Sequence, residues 1–150
     1  MNILVVDDDV EIARYISDEL GRWYHFNSAS NGKEALKQLL ANRYDLVISD
    51  IMMPEMDGIT LLKEIKSNNH LSDIPVVLLT SKGEIQNRLE GFKRGADAFL
   101  AKPFNMEELH ILIDNLVANI RRLKGKYSGA QDQTDKVEHI EVKGNNDVLM

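Results

Sequence analysis

The sequence predicts a doubly wound parallel α/β sheet of five strands. Three observations predict it. Five short β-rich runs alternate with amphipathic helical stretches along the chain. Three of those runs are almost continuously apolar, as expected of parallel strands covered by helices on both faces. Units of one strand and one helix at this length join into a parallel sheet through right-handed crossovers.

The elements follow in order. The first run, Ile3–Val6, ends in three consecutive acids, Asp7, Asp8 and Asp9, and Ile12, Ile16 and Leu20 then recur at helical spacing. A weaker strand falls at Tyr24–Ala29, followed by a helix carrying Leu36, Leu39 and Leu40. The third run, Leu46-Val47-Ile48-Ser49, ends in Asp50; Leu61, Leu62 and Ile65 mark the next helix, with Asp57 before Gly58 as its cap. The fourth, Val76–Leu79, runs into Thr80, and Ile85, Leu89 and Phe92 give the fourth helix. The fifth, Ala98–Ala101, runs into Lys102-Pro103-Phe104. Asn105 is a good N-cap for the last helix, with Glu108 three residues later in capping-box spacing. Along that helix Leu109, Ile113, Leu116, Ile120, Leu123 and Tyr127 follow 4-3-4-3-4 spacing. The first three are expected to be its buried face. The last three need another cover, either the domain's own surface or a second protomer in a short coiled coil.

Composition narrows the function. A chain of 150 residues with 43% hydrophobic and 28% charged residues is about one domain's worth of ordinary globular protein. A net charge of −6 argues against nonspecific nucleic-acid binding by this segment. No apolar run approaches the ~18 residues that span a membrane, and Met1-Asn2 leads into a strand and acids rather than a signal peptide. Cysteine is absent, so neither a disulfide framework nor a thiolate site is available; a cytoplasmic setting is expected. There is no Gly-x-x-x-x-Gly-Lys loop to make ATP a direct substrate, and His25, His70, His110 and His139 are scattered. Beyond residue 121 a polar stretch punctuated by Gly125, Gly129 and Gly144 reads as a linker or tail, 122–150. Asn145-Asn146-Asp147 followed by Val148-Leu149-Met150 reads either as the start of another helix, and hence of a C-terminal domain, or as a frayed terminus.

In parallel α/β sheets, ligands bind outside the carboxyl ends of the strands, which is where Asp7, Asp8 and Asp50 fall. Like charges at 4 Å repel by ~4 kcal/mol at an effective dielectric of 20. A cation among these acids is therefore implied.

The chain resembles the receiver domain of two-component response regulators over residues ~2–121. The resemblance is carried by Leu4-Val5-Val6-Asp7-Asp8, by Ser49-Asp50 with Met53-Pro54 and Met56-Asp57-Gly58, and by Leu79-Thr80-Ser81, Gly95-Ala96-Asp97 and Lys102-Pro103-Phe104. It implies a flavodoxin-like fold of strand order 2-1-3-4-5, and a phosphoacceptor switch rather than an enzyme with a separate substrate. Asp50 would take a phosphoryl group from a phosphohistidine on a histidine kinase; a carboxylate is ionised at neutral pH and needs no general base. Asp7, Asp8, Asp50 and the backbone carbonyl of Met52 would hold Mg²⁺, which wants oxygen ligands. Lys102 would pair with a phosphoryl oxygen, Thr80 would offer its hydroxyl, and the Lys102-Pro103 bond would be cis. Thr80 and Phe99 would form the switch, reshaping the surface of the fourth helix, fifth strand and fifth helix; the plain alternative for Phe99 is a core residue. A C-terminal effector domain, DNA-binding in the commonest arrangement, would read the switch; the alternatives are a stand-alone receiver or one fused to a histidine kinase in a hybrid sensor kinase. A homodimer would form through that surface or the extended last helix. Asp9 is expected to cap a helix rather than bind metal. Neither Met52 nor Lys82, two residues past Asp50 and Thr80, can orient an attacking water, so a long-lived aspartyl phosphate is expected.

Three other readings remain beside this one. A haloacid dehalogenase-type phosphatase needs a second acid where Met52 stands. A flavin-phosphate binder needs a hydroxyl-rich loop where Asp7-Asp8-Asp9 stand. A pseudo-receiver acting only as a docking module would lack one of these site residues.

Overall fold

The structure, a computed structural model, describes residues 1–81 and 85–132, with side chains outside that description at 85–87 and 123–132. Lys82, the side chains of Leu123 and Tyr127, His139 and the Asn145-Asn146-Asp147 signal therefore lie outside the described residues.

Strands and helices alternate throughout: β1 (Asn2–Val6), α1 (Val10–Leu20), β2 (His25–Ala29), α2 (Gly32–Ala41), β3 (Leu46–Asp50), α3 (Gly58–Ser67), β4 (Val76–Thr80), α4 (Ile85–Lys93), β5 (Ala98–Ala101) and α5 (Met106–Asp132). The strands form one sheet in the order β2-β1-β3-β4-β5, and every pairing is parallel. Alternate residues of a strand point to opposite faces. Leu4, Val6, Val47, Val76 and Leu78 join Ala35, Leu39, Leu61, Leu62 and Ile65 in one buried cluster, the contribution of α2 and α3 to the core. Their neighbours in sequence, Ile3, Val5, Leu46, Ile48, Val77 and Leu79, are just as buried, so both faces are covered.

Helix starts are written locally. Asp9 Oδ1 accepts from the N–H of Glu11, Asn31 Oδ1 from Glu34, Asp57 Oδ1 from Thr60 and Asn105 Oδ1 from Glu108. Each such cap is worth ~1 kcal/mol. Asp9 is thus held in a cap, as expected from its position.

Two side-chain networks fix parts of the sheet. Lys66 donates to the carbonyls of Ile74 (3.0 Å) and Ser72 (3.4 Å) and to Asp97 Oδ2 (3.3 Å), which also accepts from the N–H of Val76. This ties the starts of β4 and β5 to the end of α3. At the other edge, Gln38 Nε2 donates to the carbonyl of Ser28 in β2, while the Tyr44 hydroxyl donates to Gln38 Oε1 and accepts from Asn27 Nδ2.

Several expectations shift. β3 and β4 each run one residue further than their apolar runs, taking in Asp50 and Thr80. Leu89 and Phe92 of α4 stand 52% and 58% exposed, so their helical spacing does not mark a buried face. In α5 the buried positions are Leu109, Ile113 and Val117, with Leu116 only half-buried. The helix also continues to Asp132, past the boundary expected at residue 121. Among the described residues no helix is long and apolar enough to cross a membrane.

Candidate functional site

The carboxyl ends of β1, β3, β4 and β5 each deliver one polar residue to the same mouth of the sheet. Asp7 follows β1 directly, and its N–H continues the ladder by donating to the carbonyl of Ala29 at 3.0 Å. Its carboxylate is buried and doubly held: Oδ1 accepts from the N–H of Asp9 at 2.9 Å, and Oδ2 from Lys102 Nζ at 3.0 Å. Asp8, next in sequence, is exposed. Asp50 closes β3, and its Oδ1 accepts from the N–H of Ile51 at 2.9 Å and lies 3.4 Å from Lys102 Nζ. Oxygens of Asp7, Asp8 and Asp50 all lie within 4.8 Å of one another.

Thr80 ends β4 with only 2% of its surface exposed. Its carbonyl accepts from the N–H of Lys102 at 2.7 Å, which carries the pairing of β4 and β5 one residue past the strands. That bond sets where the lysine stem leaves the sheet, and the peptide between Lys102 and Pro103 is cis. The side chain ends between Asp7 and Asp50.

The charges explain the local acidities. Burial raises the pKa of Asp50 above the usual carboxylate value, the Asp7 charge raises it further, and Lys102 partly offsets both. Burial alone would lower the pKa of Lys102, but its hydrogen bond to Asp7 and the charges of Asp50 and Asp7 outweigh that and raise it. Three carboxylates against one ammonium leave an excess of two negative charges on hard oxygen donors. That donor set fits a divalent cation of the Mg²⁺ class.

The loop from Ile51 to Asp57 is pinned so that the mouth keeps its shape. The N–H of Gly58 donates to the carbonyl of Ile51 at 2.8 Å, and that of Gly32 to Met56 at 3.0 Å. A methyl on Gly58 would overlap the carbonyl oxygen of Asp50, so only glycine lets α3 start this close to β3. Glu55 absorbs the turn with φ of +66°. Met52, expected to lend its carbonyl, lies in this loop with its side chain exposed.

Phe99, in the middle of β5, is half-buried. It meets Phe92 edge-to-face with centroids 4.5 Å apart, and the Arg88 guanidinium lies 5.5 Å from its ring centre. Sequence reasoning missed two supports of the site. One is Ser49, fully buried, whose hydroxyl donates to the carbonyl of Asp50 at 2.8 Å; the Ser49-Asp50 pair entered the resemblance, but nothing in the run announced that bond. The other is the close approach at Gly58, for which the Asp57-Gly58 pair was the available sign.

Comparison with known proteins bears on this geometry. Residues 3–114 match the family model described as the response regulator receiver domain. The chain is 42% identical over 132 residues to histidine kinase P4 of Formosa agariphila, covering 88% of this chain and 10% of that protein. It is 37% identical over 129 residues to the transcriptional regulatory protein RprY of Bacteroides fragilis, covering 85% of this chain and 54% of that one. It thus spans a tenth of the first relative and about half of the second. Among solved structures, the receiver domain of the Francisella response regulator 1452 superposes with a TM-score of 0.70 at 39% identity, over 77% of this chain and 94% of that one. With a parallel sheet in the order 2-1-3-4-5, acids gathered at its carboxyl edge and a family match covering most of its length, this chain belongs to the response regulator receiver domains.

Proposed function

We propose that the chain is a signalling switch in which Asp50 accepts a phosphoryl group from the phosphohistidine of a histidine kinase. One observation carries the reading: Lys102 is held between the carboxylates of Asp7 and Asp50 at 3.0 and 3.4 Å. Among the described residues, the hydrogen bond from the N–H of Ile51 and the ion pair with Lys102 both fall on Oδ1 of the Asp50 carboxylate. Oδ2 is then the oxygen that attacks phosphorus; the P–N bond to the histidine breaks, and an aspartyl phosphate forms. Lys102 takes up charge on a phosphoryl oxygen as a point cation. The Thr80 hydroxyl, brought to the same edge by β4, offers a hydrogen bond to another.

Asp7, Asp8 and Asp50, with the carbonyl of Met52, would hold Mg²⁺. The ion supplies neutralisation of the carboxylates and of the phosphoryl oxygens during transfer. Phosphorylation adds roughly −1.5 to −2 charges at Asp50, and Thr80 and Phe99 relay that change to the surface of α4, β5 and α5. A C-terminal effector domain, of the DNA-binding kind in a transcriptional regulator, reads the change. That surface or the extended α5 joins two copies. A relative named as a transcriptional regulatory protein supports a transcriptional output, and the match to a tenth of a protein named as a histidine kinase fits a receiver joined to a kinase.

The test is intact-mass measurement after incubation with Mg²⁺ and acetyl phosphate. A single phosphoryl adduct on the wild type, absent from Asp50→Ala and abolished by EDTA, is the expected outcome. No adduct, with beryllofluoride also failing to bind, overturns it in favour of a docking module that is never phosphorylated.

A further inference from the structure

The ring of Phe99 owes its seat to a side chain that glycine does not have. Gly91 lies inside α4, where glycine costs ~1 kcal/mol relative to alanine. A Cβ there would sit 2.7 Å from Cζ and 3.0 Å from Cε1 of Phe99, and 2.9 Å from Cδ1 of Leu78. All three are inside van der Waals contact, so the end of the ring fills the space a methyl would take. Phe92 closes one side edge-to-face, and the Arg88 guanidinium lies over the ring. Arg88, Gly91 and Phe92 stand at positions i, i+3 and i+4, which share one side of a helix. One aromatic ring therefore meets α4 along a whole turn.

We infer that Gly91 is a positioning residue that ties the rotamer of Phe99 to the placement of α4. The inference rests on the proposed switch role of Phe99 and adds the residue at which α4 meets the ring. With the ring seated, α4 lies close to the sheet at Gly91. When the ring leaves, the space under the helix loses its filling, and the lost contacts favour a partial inward shift of its wall. Ring and helix then have two matched arrangements instead of two independent motions. Leu89 and Phe92 are exposed on the same helix, so a displacement of α4 also displaces an apolar surface.

The experiment uses the full chain carrying ¹³C-labelled phenylalanine and ¹⁵N-labelled backbone. NMR spectra are recorded with Mg²⁺ alone and then with acetyl phosphate, and intact mass follows loading at Asp50. In the wild type, loading is expected to shift the Phe99 ring signals and the α4 amides together. In Gly91→Ala, loading reaches the same extent while the loading shift of the α4 amides is abolished. A variant that loads and responds as the wild type does overturns the inference. If the wild type loads without any change at Phe99, the switch reading itself fails, and the inference with it. Thermal midpoints supply the control for folding: Gly91→Ala lowers the midpoint in the wild-type background, and that loss is much smaller in a Phe99→Ala background, where only the overlap with Leu78 remains. An equal loss in both backgrounds overturns the socket.

Discussion

The ammonium of Lys102 lies 3.4 Å from Asp50 Oδ1 while it also donates to Asp7 at 3.0 Å. One cation thus separates two buried carboxylates. Lys102→Met removes it and leaves the two acids facing each other in a poorly solvated site. The expected loss of stability at neutral pH is about 1–3 kcal/mol in metal-free buffer, the cost of an uncompensated buried polar group. Adding Asp50→Asn should recover most of it. Urea denaturation of the two single variants and the double variant measures this directly, and additive losses would mean that the pair does not interact.

Asp50→Asn alone is expected to stabilise the metal-free protein at pH 7. The pKa of Asp50 is raised by burial and by Asp7 despite Lys102, so the folded state holds this proton more tightly than the unfolded chain. For such an acid, stability falls as pH rises through the folded-state pKa. The advantage of the asparagine variant is therefore greatest at neutral pH, shrinks as pH falls through that raised pKa and vanishes below the unfolded-state value. Like charges near 5 Å repel by ~3 kcal/mol at an effective dielectric of 20; with Lys102 cancelling most of that, a gain of ~1 kcal/mol remains. Thermal midpoints in EDTA between pH 4 and 8 give the curve.

Mg²⁺ is expected to raise the thermal midpoint through the three acids. At ten times its dissociation constant, a ligand that binds only the folded state adds ~1.4 kcal/mol. Asp8→Asn is the informative variant, because Asp8 is exposed and its removal costs the fold little. Its midpoint should match the wild type in EDTA and respond far less to Mg²⁺.

Two backbone positions, one in the β3–α3 loop and one at the start of α3, should respond in opposite directions. Gly58→Ala drives a methyl into the carbonyl oxygen of Asp50, and a backbone atom cannot step aside. About 2–3 kcal/mol is lost, the upper range for overpacking, with slower labelling by acetyl phosphate as Asp50 is displaced. Glu55→Gly relieves a left-handed φ of +66°. The relief of ~1–2 kcal/mol is partly offset by the greater freedom of glycine in the unfolded chain. A net gain of about 0.5 kcal/mol in chemical denaturation is expected.

Much of this molecule is legible because its signals are local. Parallel strands buried on both faces must be apolar along their length, so Leu46–Ile48 and Val76–Leu79 announce themselves. The caps at Asp9, Asp57 and Asn105 follow from the backbone's need to satisfy donors at helix starts. β2 is faint because it lies at the edge, where His25, Asn27 and Ser28 remain exposed. The acids could be placed at one mouth because strand ends in a parallel sheet share a side. How Lys102 divides itself between Asp7 and Asp50 could not be read, since it depends on contacts 95 residues apart in the chain. For the same reason Lys66 and Asp97 gave no sign of their shared role. α4 misled in another way. Leu89 and Phe92 repeat at helical spacing yet stay mostly exposed, although the Phe92 ring meets Phe99, while the position that comes closest to the sheet gave no signal: Gly91, whose contribution is its lack of a side chain.

The amide of Gln38 has a consequence for how this molecule tolerates crowding. A strand at the border of a sheet carries outward backbone groups that invite a stranger's strand. On β2, the carbonyl of Ser28 is already answered by Gln38 Nε2 at 2.9 Å, and the Tyr44 hydroxyl holds that amide in place. A foreign strand seeking to zip onto β2 must first break a bond that α2 supplies. One of the outward groups that edge-to-edge pairing on β2 would use is thus already taken.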